Sequence, residues 1–267
     1  MSGVHDLAAL LPVLEPLAIL TLLTMARAGG LLLALPHSSS TAVPGQIRAI
    51  LVVALSLSMV GLAAPSAAAR FDLLGLVVAL VGEIIIGLAL GFVVHLALAG
   101  VRMAGEIIGV EIGLSFSAVA DPANPGASTA TASLLGHLGM QLFFALGIDR
   151  TLVAGLAHSM RRVPLGGGRI GGATVATLTE QASGALAVAL HLALPILATG
   201  LAVKLALAVL ARFVPRLQIF ALAFGITLAC GLVALQQALP GLAEAVAGHL
   251  RASVVVFDRT IATIETL

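Results

Sequence analysis

The chain has 267 residues, 60% of them hydrophobic and 9% charged, against roughly 45–50% apolar and about 25% charged in an ordinary soluble domain. With a mean hydropathy of +1.16, this excludes a water-soluble globular protein. Thirteen Lys and Arg against twelve Asp and Glu leave a formal charge of +1, too little field to hold nucleic acid or to recruit the chain to anionic lipid, so membrane association rests on apolar area.

In chain order, Met1 to Asp6 contains no Lys or Arg, and Pro12 and Pro16 interrupt the apolar stretch, so the N-terminus reads as retained rather than as a cleaved signal. Six runs then approach the roughly 20 residues that cross a bilayer core as a helix. Leu17 to Leu35 carries only Arg27, Ala49 to Ala69 no charge, and Leu73 to Val101 only Glu83. Pro122 to Ile148, Gln181 to Val203 and Leu217 to Ala243 are also uncharged. Long runs of Leu and Ala without strict alternation fit helices, which satisfy their own backbone in hydrocarbon. The expectation is an all-α, multi-pass membrane protein with about six long hydrophobic helices plus short or re-entrant ones.

Breaks fall at Pro36 to Gly45, Ala64 to Ala69, Asp121 to Gly126 and Val163 to Gly172, most of them dense in Pro, Gly and Ser. None is long enough for an interdomain linker, so 1–267 reads as one domain. Pro195 is expected to kink or break its helix. Leu239 to Leu267 mixes charge with apolar residues and reads as an amphipathic helix on a partner or at the membrane interface. Seven arginines (70, 150, 161, 162, 169, 251 and 259) fall on one side and four (48, 102, 212 and 216) on the other, which leans toward cytoplasmic termini. A seventh or re-entrant helix near Thr151 to Met160 reverses half of that count.

Cys230 is the single cysteine, so no internal disulfide or multi-cysteine metal or redox site exists. No Walker, GxSxG, HExxH or dinucleotide pattern is present, and Gly166 to Gly168 precedes no P-loop lysine. His95, His137 and His191 stand singly, with no spacing that assembles a metal site, and no enzyme or cofactor chemistry is expected.

Function concentrates in Gly100 to Gly126. Gly105, Gly109 and Gly113 recur every four residues and put a close-packed contact on one helical face. Arg102 and Glu106 have the spacing of a helical ion pair, whereas Glu111 has no evident partner. Charges in an apolar chain are expensive unless paired or facing a cavity. Glu83 and Lys204 each admit two readings, a proton relay or half of an interhelical bridge, and the two are candidate partners for each other. Past the glycine face come Leu114, Ser115, Phe116 and Ser117, then Asp121 and Pro122, where Asp before Pro ends the helix. A short non-helical segment between apolar helices is either a constriction buried at membrane depth or an ordinary surface loop.

At these residues a family resemblance enters. GEIIGVEIGLSFSAVADP, Gly105 to Pro122, resembles the signature of the FliR family, the flagellar branch of the FliR/SctT export-gate proteins of type III secretion. Val43 to Leu57, VPLGG at Val163 to Gly167, and LARFVPRLQIFALAFGITL at Leu210 to Leu228, which contains Arg212, resemble further family segments in the same order. The resemblance implies an inner-membrane subunit of the flagellar basal body. Its partners would be FliP-like and FliQ-like proteins, with FlhB-like and FlhA-like components, and it would pass unfolded flagellar proteins. It also implies that Gly113 to Asp121 plugs the closed pore, with Phe116 in the path. The glycine face and the charges Arg102, Glu106, Glu111, Glu83, Lys204 and Arg212 then become intersubunit contacts. Two rivals are a virulence-secretion homologue and a small ion-coupled transporter; the latter expects an internal repeat, and none is visible.

Overall fold

The computed structural model describes residues 2–35, 44–62, 72–114, 128–213 and 219–266. Helices dominate: α1 (Ser2–Ala34), α2 (Gly45–Met59) followed by a 3-10 turn at Val60–Leu62, α3 (Leu73–Glu111), α4 (Ala130–Ala145), α5 (Ile148–Arg162), α6 (Gly172–Phe213) and α7 (Ile219–Thr263). Two short strands, β1 (Gly168–Arg169) and β2 (Glu265–Thr266), pair antiparallel, Gly168 opposite Thr266 and Arg169 opposite Glu265.

Five helices are long and apolar enough to cross a membrane, and α4 with α5 makes a sixth if that bent pair is one span. The all-α, multi-pass architecture is therefore as expected, but the long helices overrun their uncharged runs. α3, α6 and α7 have 39, 42 and 45 residues, about 59, 63 and 68 Å at 1.5 Å per residue. That is roughly twice the hydrocarbon thickness of about 30 Å. Arg102 and Glu106 end an uncharged run without ending α3, which continues to Glu111. α6 continues through Pro195 rather than breaking there, and Thr199 donates its hydroxyl to the Pro195 carbonyl at 2.9 Å.

The chain forms two compact units, one of residues 1–95, 149–181 and 253–267, the other of 96–148 and 182–252. In the first, α1 and α3 touch backbone to backbone: a Cβ at Gly30 would strike the Ile84 carbonyl, and one at Gly87 the Arg27 carbonyl. Gly87 and Gly91 form a GxxxG pair that permits this approach. Near the end of α7, Ser253, Phe257, Thr260, Ile261 and Ile264 are buried, and Phe257 lies against Gly155 of α5. The amphipathic stretch read at the C-terminus is thus the last part of a longer helix, and it packs on its own chain. Thr174 ties down its end through the Thr263 carbonyl at 2.9 Å.

In the second unit Gly100 lets α3 approach Ala185 of α6, Gly139 of α4 faces Leu98 and Val101, and Ile112 fills the space above Gly231 of α7. Small residues at each crossing let helices approach without a polar driving force.

Candidate functional site

The end of α3 and the start of α4 form the stems of the segment expected to plug a pore. α3 stops because Gly113 adopts φ +86°, a left-handed conformation that glycine takes without steric cost. The Gly113 amide donates to the Val110 carbonyl at 3.2 Å and the Leu114 amide to the Gly109 carbonyl at 2.9 Å, the paired bonds of a Schellman cap. The helix therefore ends well before Asp121 and Pro122, and Gly113 is its terminator, set against the Phe224 ring, rather than a third repeat of the packing face. Ser115, Phe116, Ser117, Asp121 and Pro122 lie outside the described residues.

The chain re-enters helix at Thr129, whose hydroxyl caps α4 by accepting from the Ala132 amide at 3.2 Å. Both stems are tied to one another. Thr129 and Thr131 donate their hydroxyls to the Gly105 carbonyl at 3.4 and 2.8 Å, and the Thr129 amide donates to Glu106 Oε2 at 3.3 Å. Any Cβ at Gly105 would come within 2.5 Å of Ala132 Cα, and one at Gly109 within 2.5 Å of Thr131 Oγ1. The contact made by Gly105 and Gly109 thus lies inside this chain, whereas the resemblance had implied an intersubunit one.

Charges pair differently from their sequence spacing. Among the described residues Arg102 makes no ion pair with Glu106. An exposed helical pair gains only about 0.2–0.5 kcal/mol, less than leaving the Thr129 amide unpaired would cost. Glu111 has a partner after all: Lys204 Nζ lies 2.7 Å from its Oε1, with the lysine side chain 51% exposed and the glutamate 15%. Gly200 makes room for that carboxylate on α6. Arg212, also on α6, is exposed and makes no ion pair among the described residues.

Glu83 bridges to Arg27 and not to Lys204. Arg27 Nε lies 2.5 Å from Glu83 Oε2 and Arg27 Nη2 3.0 Å from Oε1, with both side chains buried. Arg27 Nη1 also donates to the carbonyls of Ser159 and Val163 at 3.0 and 3.2 Å, while the Gly166 amide donates to Glu83 Oε1 at 2.7 Å. Each charge is thereby matched, as burial in an apolar medium requires, and both Glu83 oxygens accept hydrogen bonds within the chain. His95 Nδ1 bonds the Ala34 carbonyl at the end of α1, whereas His137 Nδ1 and His191 Nδ1 bond the carbonyls four residues back in their own helices, of Ser133 and Ala187.

A sequence model of the family described as bacterial export proteins, family 1, matches residues 18–253, across both compact units. The chain belongs to this family. As a bacterial export protein of family 1 it is an export component that resides in a membrane and not an enzyme. Among its relatives, the flagellar biosynthetic protein FliR of Escherichia coli (strain K12) is 36% identical over 160 residues, 60% of this chain and 61% of that protein. FliR of Caulobacter vibrioides is 28% identical over 222 residues, 83% of this chain and 88% of that one. The Yop proteins translocation protein T of Yersinia pestis is 30% identical over 146 residues, 54% of this chain and 56% of that protein.

Within the export protein, three features escaped sequence reasoning. Arg27 stood out only as a lone charge in an apolar run, because its partner is 56 positions away. The GxxxG pair at Gly87 and Gly91 was readable by the same rule that found Gly105 and Gly109. Thr129 and Thr131 carried a cap signal ahead of the apolar run of α4.

Proposed function

We propose that the chain is a subunit of the flagellar type III protein export gate, seated in the bacterial inner membrane at the flagellar basal body. There it builds, with FliP-like and FliQ-like subunits and next to FlhB-like and FlhA-like components, a portal for unfolded flagellar proteins. Family membership over residues 18–253 carries this reading, and FliR relatives that align over 83% and 60% of the chain support its flagellar branch. The segment after Gly113 acts as the closed plug, with Phe116 occluding the path. Its support is the stem: a capped helix end at Gly113 and a capped start at Thr129 are bound together through Gly105 and Glu106, next to the segment read as the plug.

The test is ion conductance of the assembled gate in a planar membrane. Replacing Phe116 by Ala, or deleting Ser115 to Ala118, is expected to open a measurable leak. Conductance equal to that of the unmodified assembly removes Phe116 from the plug while leaving the subunit assignment to co-purification.

A further inference from the structure

The buried ion pair of the first unit holds more than its own two charges. We infer that Arg27 and Glu83 are positioning residues: together they fix the shape of the turn at 163–167 and so seat β2 as a latch beside the start of α6.

Each member of the pair grips one side of the turn. Arg27 Nη1 donates to the carbonyl of Ser159, in the last turn of α5, and to that of Val163, just past its end. A cation is thereby set where the helix dipole is negative and carbonyls lack helical partners. On the far side Glu83 Oε1 takes the Gly166 amide at 2.7 Å. Between these holds lies a type II turn. The Gly167 amide donates to the Pro164 carbonyl at 3.1 Å, and Gly166, at φ +79°, occupies the third position, where this turn needs a positive φ. Val163 and Leu165 are buried beside it.

What the turn delivers is β1. Gly168 packs so closely on Ile86 of α3 and on Val163 that a Cβ there would clash with both, so the strand starts from one place, set by the turn before it. β2 pairs with it, Arg169 opposite Glu265, and the Glu265 carboxylate rests on Gly171. The Thr263 carbonyl accepts the Thr174 hydroxyl next to this pairing, which ties the end of α7 to the start of α6. Both residues of β2 are exposed, so apolar burial does little to hold them, and their place follows from the backbone they pair with. An ion pair that served only the crossing of α1 with α3 would need none of its three bonds to backbone atoms of 159–166.

The test uses the full chain in mild detergent, carrying Cys230→Ala with Arg169→Cys and Glu265→Cys at facing positions of the two strands. Facing residues of an antiparallel pair lie about 4.5–5.5 Å apart at Cα, a separation that a disulfide spans, so mild oxidation is expected to close the bond in this parent. Glu83→Gln is expected to slow closure about tenfold. Gly166→Ala, which breaks the turn and leaves the ion pair in place, is expected to slow it by a similar factor. In both variants amide hydrogen exchange across residues 86–94 of α3 stays within about twofold of the parent. If Glu83→Gln fails to accumulate, Arg27→Lys takes its place, because it keeps the charge facing Glu83 and loses the planar fork that reaches both carbonyls. No closure in the parent, closure as fast in any of these variants as in the parent, or exchange across 86–94 that rises as closure slows overturns the inference.

Discussion

Arg27 sits fully buried in an apolar helix, where an unmatched guanidinium would cost several kcal/mol. It is tolerated because Glu83 and two backbone carbonyls receive its donors, and Glu83 in turn holds the Gly166 amide. Removing either charge strands the other, and breaking a buried pair from one side costs about 3–5 kcal/mol. Arg27→Met and Glu83→Gln should therefore each sharply lower the temperature at which the purified chain loses its monodisperse state in mild detergent. The Arg27→Met, Glu83→Met double variant should lose less than the two single changes added together, because neither charge is then left alone. Strict additivity would show that the two side chains do not act as a pair.

At the level of elements, the junction of α3 with α4 turns on two glycines of opposite character. Gly109 faces the Thr129 and Thr131 hydroxyls so closely that a methyl group there must push the helices apart, while a methyl at Gly136 of α4 would meet nothing within 4 Å. Gly109→Ala should cost about 1–3 kcal/mol through overpacking, and Gly136→Ala should be neutral or stabilise by up to about 1 kcal/mol through helix propensity. Thr129→Val should cost about 1 kcal/mol through the lost cap. Thermal melts of the three variants, monitored by helical circular dichroism, rank them; equal behaviour of the two glycine variants would contradict the close approach. This junction also marks how far the chain could be read unaided. The spans were legible because an uncharged apolar run of some 20 residues has few soluble alternatives, and Gly105 and Gly109 because a four-residue repeat defines a helix face. What a pair contacts was not legible. Glu111 had no evident partner and Glu83 read equally as a relay or as half of an interhelical bridge, and their true partners Lys204 and Arg27 follow from glycine-mediated crossings that no local spacing encodes. Gly113 was misread for a related reason: its repeat with Gly109 suggested packing, while its position just past the last turn made it a terminator.

For the whole molecule, the apolar composition exceeds what the chain covers by itself. The three longest candidate spans have between 17% and 28% of their most apolar windows buried, so most of that surface meets either lipid or another protein. Helices about twice as long as the hydrocarbon is thick argue for protein over part of their length. The absence of Trp and Tyr from the chain removes the usual headgroup anchors and also supplies a clean probe. A single Trp introduced at Leu205, 60% exposed on α6, is the only indole this chain contributes. The difference spectrum against an assembly carrying the unmodified chain isolates it from any partner Trp. In bilayers containing brominated lipid, the Trp should be quenched when the chain is reconstituted alone and protected once the other export-apparatus subunits are assembled around it. Equal quenching in both states would place lipid against this face of α6 in the finished gate and would leave the apolar excess to be explained by the membrane alone.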